Sequence, residues 1–103
     1  MSKKQSLKAI IYDKKGRVLS IGQNSYTKTH PLQAYHAYKE GMPERIYLHA
    51  EIDAIVKCPD ITKASKILVI RKDTYGKPMN AQPCKVCMSA LKTLNLKEIK
   101  WTT

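Results

Sequence analysis

Two short motifs set the tightest limit on how this chain can fold. The first is His49-Ala50-Glu51, and the second is Pro83-Cys84-Lys85-Val86-Cys87. Around the first, Leu48, Ile52, Ile55 and Val56 recur at helical spacing, which predicts a helix from Ile46 or Tyr47 to Lys57. Cys58-Pro59 stops it. Around the second, Met88, Leu91 and Leu94 make one stripe of a helix over 84–94, with Asn95 as its stop. Both motifs therefore sit near helix starts, where the positive end of the helix dipole lowers a thiol's pKa and favours metal binding. A fold that uses them together has to bring two helix starts to one point.

One imidazole, His49, and two thiolates, Cys84 and Cys87, make three ligands and leave the fourth tetrahedral position of a zinc ion to water. Zinc lowers the pKa of such a water toward neutrality. Glu51 lies two residues from His49, within reach of the same water without ligating the metal. Its carboxylate can take the water's proton and hand it to a ring nitrogen and then to departing ammonia. Each half alone is ordinary. A lone Cys-x-x-Cys is also a redox pair, and a histidine or glutamate near a helix start is more often a buried or capping residue. In this order, with Pro83 directly before Cys84, the two halves match the H-x-E followed by P-C-x-x-C signature of zinc deaminases.

The remaining elements fit around those helices. Leu7 to Tyr12 reads as a strand, Asp13-Lys14-Lys15-Gly16 as a hairpin turn, and Arg17 to Ser25 as the returning strand. Tyr26 to Glu44 is polar and irregular, with Leu32, Tyr35 and Tyr38 or Lys39 as one short helical face. Ile67-Leu68-Val69-Ile70, within Lys66 to Arg71, reads as a strand buried on both faces. Glu98 to Thr102 closes the series, parallel to that strand by a right-handed crossover. The order β-β-α-β-α-β predicts an α/β fold with helices packed on a mixed sheet. One domain over 1–103 suits the length.

The chain resembles the cytidine and deoxycytidylate deaminase family. The resemblance rests on Ala50 between the ligand and the acid, on Ala54-Ile55, on Leu91 after Cys87, and on Asn24 near the end of the second strand. It implies a three-layer cytidine-deaminase-like fold with a central mixed sheet of four to five strands. It implies zinc on His49, Cys84 and Cys87, and Glu51 as proton shuttle. It also places Asn24 on the substrate sugar, and Ala50, Gln82 and Pro83 along the base. The implied reaction is hydrolytic loss of ammonia from cytosine in a nucleoside or nucleotide. Against the family pattern, the chain starts almost at the first strand and ends just after the fourth. The resemblance implies a homo-oligomer in which a neighbouring subunit supplies the missing walls.

Charge bears on the substrate. Nineteen basic against eight acidic residues give a net charge of +11, concentrated before Arg17 and after Lys57. Such an excess raises the local concentration of anions, which favours a phosphate-bearing substrate such as deoxycytidylate, although it equally describes a solvated lysine-rich surface. His30, Tyr35, His36, Arg45 and the lysines near Lys28 are the residues placed to approach a phosphate. The alternative substrate is cytosine or adenine in single-stranded DNA or RNA, stacked on Tyr26, Tyr35, Tyr38 or Tyr47. A non-catalytic module with a structural zinc site would need Cys58 as fourth ligand. Cys58 sits nine residues after His49, roughly 13 Å along a helix at 1.5 Å per residue, which makes joint ligation difficult. A thiol-disulfide oxidoreductase would have no use for His49-Ala50-Glu51. Three cysteines, no secretory signal and no apolar run of membrane-spanning length predict a cytoplasmic protein without a membrane partner.

Overall fold

Asp13 makes the first turn. Its Oδ1 accepts from the backbone N–H groups of Lys15 and Arg17, both at 2.9 Å, and its Oδ2 accepts from Arg17 Nε at 2.8 Å. Gly16, at φ 83°, takes the left-handed conformation that completes the reversal. The turn joins β1 (Ser6–Tyr12) to β2 (Val18–Gln23) as an antiparallel pair. These coordinates are a computed structural model that describes residues 6–103; the approach to the first strand, residues 1–5, lies outside the described residues.

β3 (Lys66–Lys72) runs antiparallel to β1 along its whole length. Its other edge is shared by β4 (Pro78–Met79), antiparallel, and β5 (Glu98–Trp101), parallel. The result is a mixed five-stranded sheet in an α/β chain, with the last long strands parallel as the sequence predicts. β4 is too short to be visible in the sequence pattern.

Among the described residues three α-helices accompany the sheet: α1 (Pro31–Lys39), α2 (Ala50–Lys57) and α3 (Lys85–Lys92). None is long and apolar enough to cross a membrane. α2 lies close on β2. Ser20 Oγ donates to Ala54 O at 2.8 Å, and Asp53 Oδ2 accepts from Gln23 N at 2.9 Å. A Cβ on Gly22 would overlap Ala50 O and Ala54 N, so the strand and the helix meet where only glycine fits. Ala9 and Ile11 of β1, with Ile67 and Val69 of β3, pack with Ala50, Ala54 and Leu91 in the main core. Ile52 of α2, with Leu48 just before that helix, meets Cys87 and Ala90 of α3 in a second cluster.

Strand parity corrects one expectation. Ile67 and Val69 are fully buried, but Leu68 and Ile70 are only half-buried, so β3 is not covered on both faces. Its side chains alternate, and the described helices gather on the Ala9 and Ile67 side. α1 also differs from expectation. Its buried residues are Gln33, His36 and Ala37, while Tyr35 and Tyr38 point outward. Pro31 at its start and His30 Nδ1, which accepts from Leu32 N at 3.0 Å, set where it begins. α2 starts at Ala50 rather than at Ile46 or Tyr47, because Tyr47 pairs with Thr29 in a β-bridge and His49 is extended.

Candidate metal centre

His49 and Cys84 hold equivalent places. Each is the N-cap residue of its helix, in extended conformation, and neither caps it with its side chain. A side chain released from capping at that position projects beyond the helix end. α2 and α3 pack together through Ile52 and Cys87, which brings both helix starts to one point. His49 Nδ1 stands 3.1 Å from Cys87 Sγ and 3.5 Å from Cys84 Sγ. All three ligand atoms lie within 4.8 Å of one another.

Zinc fits this set. With Zn–N near 2.0 Å and Zn–S near 2.3 Å, the N···S edge of a tetrahedron is about 3.5 Å, close to both observed separations. The donor chemistry agrees as well, being one imidazole at the start of α2 and two thiols at the start of α3, each at the positive end of a helix dipole. Hydrogen bonding between the thiols holds Cys84 well below its ordinary value, at about 3, and holds Cys87 above its own. His49 is raised, chiefly by its bond to Cys84. Cys58 is the C-cap of α2, at the far end of that helix, and takes no part in the group.

Glu51 is buried beside these atoms, and burial raises its pKa. It borders a cavity of about 510 Å³ together with His49, Ala50 and Cys84. Asn24 lines the wall, its Oδ1 accepting from Leu7 N at 3.1 Å. Gln82 also lines the cavity, its N–H donated to Asn80 Oδ1 at 3.0 Å. Pro83 is buried and does not border the cavity. Of the candidate phosphate contacts, Arg45 borders the cavity and the others do not. His30 caps α1, and His36 is buried with Nδ1 2.9 Å from Ser89 Oγ. Tyr26 and Tyr47 stand at the mouth, about half exposed.

The structure adds two residues that the sequence reading missed. Gln33, fully buried on α1, accepts from His49 N at 3.2 Å and donates to Arg45 O at 3.0 Å. It thereby ties a metal ligand to the cavity rim. Arg71, at the end of β3, also borders the cavity, with Nη1 donating to Asn80 O at 3.2 Å. Its signal was available in strand parity, since it follows the buried Ile67 and Val69 on the same face.

Three protein donors at converging helix starts, with a carboxylate alongside, describe the centre of a zinc-dependent hydrolase. Residues 2–103 match the cytidine and deoxycytidylate deaminase zinc-binding region, and the chain belongs to that family. At the family level it is a zinc-dependent deaminase. No curated protein matches the chain.

Proposed function

We propose that this protein hydrolyses the amino group of a cytosine mononucleotide, deoxycytidylate being the best candidate, to give the uracil nucleotide and ammonia. The observation that carries the reading is the placement of buried Glu51 next to the three ligand atoms, in a cavity whose wall also holds Arg45 and Arg71. When bound, zinc supplies a water that is nucleophilic at neutral pH. His49, Cys84 and Cys87 are the residues that would hold it. Glu51 is placed to accept a proton, and would deliver it to the ring nitrogen next to the amino-bearing carbon and then supply one to the leaving amino group. Atoms balance as cytosine plus water giving uracil plus ammonia. Asn24 serves the sugar, and Ala50 and Gln82 flank the base through their backbone. Arg45 and Arg71 provide charge for a monophosphate, which two guanidinium groups recognise well.

Tyr26 and Tyr47, half exposed at the cavity mouth, favour a second reading in which the cytosine belongs to a single strand and its neighbours stack on those rings. A panel of cytidine, deoxycytidine, their monophosphates and a cytosine-containing single strand, scored by ammonia release, separates the two. The expected result is fastest turnover of a monophosphate. Turnover of the strand alone selects the second reading, and no turnover of any of them removes both. Glu51→Gln is expected to keep stoichiometric zinc and to lower kcat by about 10²–10⁴-fold, the usual scale of general acid–base catalysis.

A further inference from the structure

The sheet face turned away from the helices has its own pattern. Cross-strand register sets Ile21, Ile10 and Leu68 in one row across β2, β1 and β3, ending on Lys100 of β5. Val18 pairs with Tyr12 on one side of that row, and Ile70 pairs with Lys8 on the other. Ile21 is 49% exposed and Val18 is 55% exposed. Ile10, Leu68 and Ile70 are half-buried and belong to neither core cluster among the described residues. β-branched and aliphatic side chains that stay wet at the centre of a sheet mark a surface made to be covered.

The rim is basic. Lys8, Lys66, Lys72 and Lys100 share this face by strand parity, and Glu98 is its acid, already 3.2 Å from Lys100 Nζ. Lys66 Nζ also sits over the Tyr12 ring, 5.5 Å from its centroid, which keeps its charge at the edge of the apolar row. Three neighbouring strands at about 4.8 Å spacing make the apolar row roughly 10 Å long across the sheet, about two turns of an α-helix laid over it, with Lys66 on one side of the row and Lys8 and Lys72 on the other. We infer that this face docks an amphipathic helix of another protein whose apolar stripe is flanked by aspartate and glutamate. The apolar row receives the stripe, and the lysines on both sides meet the acids. A second copy of this chain is a poor occupant, because it would bring the same lysines against one another in a molecule of net charge +11. The site is remote from the metal ligands, which lie on the other side of the sheet, so occupancy does not block the cavity.

The test uses the zinc-loaded full chain and two synthetic helical peptides. Both carry a leucine stripe, flanked by glutamates in one and by lysines in the other. Titration followed by backbone amide chemical shifts is expected to show saturable binding of the glutamate peptide, with shifts on β1, β2 and β3, and at least tenfold weaker binding of the lysine peptide. Ile21→Lys raises the positive charge yet should weaken the glutamate peptide at least tenfold, which separates docking from general charge attraction. Ile21 lies on an edge strand, and zinc content with circular dichroism checks the fold. Lys8→Glu with Lys72→Glu, at exposed positions, should weaken it similarly. The inference is overturned if neither peptide binds, if both bind equally, or if either variant binds as tightly as the parent. It is overturned equally by self-association that Ile21→Lys abolishes, which makes the occupant a second copy. Binding to phosphatidylserine vesicles that Ile21→Lys abolishes, without peptide binding, makes it a membrane surface.

Discussion

At the scale of single residues, the metal ligands and their helper differ in how far they could be read ahead. His49, Glu51, Cys84 and Cys87 each lie within two or three residues of another member of the set, and short spacing survives translation into one dimension. Gln33 has no such neighbour. A fully buried glutamine whose two bonds go to His49 N and Arg45 O looks like a surface residue when read in sequence. Those bonds are its reason to be inside. Gln33→Leu is expected to leave both partners unsatisfied and to cost about 1–3 kcal/mol in urea denaturation. It should also weaken zinc roughly 10-fold in a chelator competition, as loss of a supporting bond behind a ligand generally does. Unchanged zinc affinity would confine Gln33 to stability.

Among elements, β2 and α2 are the critical pair. Strand, hairpin and helix were legible from alternation, turn residues and helical spacing. α1 was legible as a short helical face within a polar stretch but with the wrong residues inward, because its hidden face of Gln33, His36 and Ala37 is largely polar and carries no hydrophobic period. The contact at Gly22 was not legible either, since close approach leaves no trace in a one-dimensional pattern. Gly22→Ala pushes a methyl group into the backbone of the first turns of α2, and overpacking of this kind costs about 1–3 kcal/mol. Because Ala50 and Glu51 ride on that turn, kcat should fall as well as the urea midpoint. Loss of stability with full activity would mean that the strand yields rather than the helix.

The contact between α1 and α3, which includes His36 Nδ1 and Ser89 Oγ at 2.9 Å, is expected to depend on pH. Burial and nearby Lys39 hold the pKa of His36 below the ordinary 6.5, against a smaller opposing effect of Glu40. The unfolded chain therefore takes up the proton first as pH falls through 6.5. Stability is full above that value and declines below it until the folded His36 is also protonated. Amide exchange in α1 should quicken over that window, and His36→Gln should flatten the dependence. An unchanged profile in the variant would assign the effect to another group.

For the whole molecule, the ligand set joins positions far apart in the chain, His49 to Cys87 being 38 residues. An ion bound only by the folded form adds stability by mass action, about 2.7 kcal/mol at a free concentration 100-fold above Kd. At about 4–8 °C per kcal/mol for a domain near this size, chelation should lower Tm by roughly 10–20 °C. A smaller change would mean that the three ligands are held in place without the ion. The substrate class was the least legible property at every scale. In the proposed reading it rests on Tyr26, on Arg45 with Tyr47, and on Arg71, which gather from three separate segments around one cavity.

The meeting of two helix starts on one ion also governs how long a molecule lasts. A chain that has lost its metal has lost its reagent and its clasp in the same event. It opens more often, and open chains are what proteases remove. Inactive copies would thereby be the first cleared, without any separate signal, leaving a population enriched in molecules able to turn over.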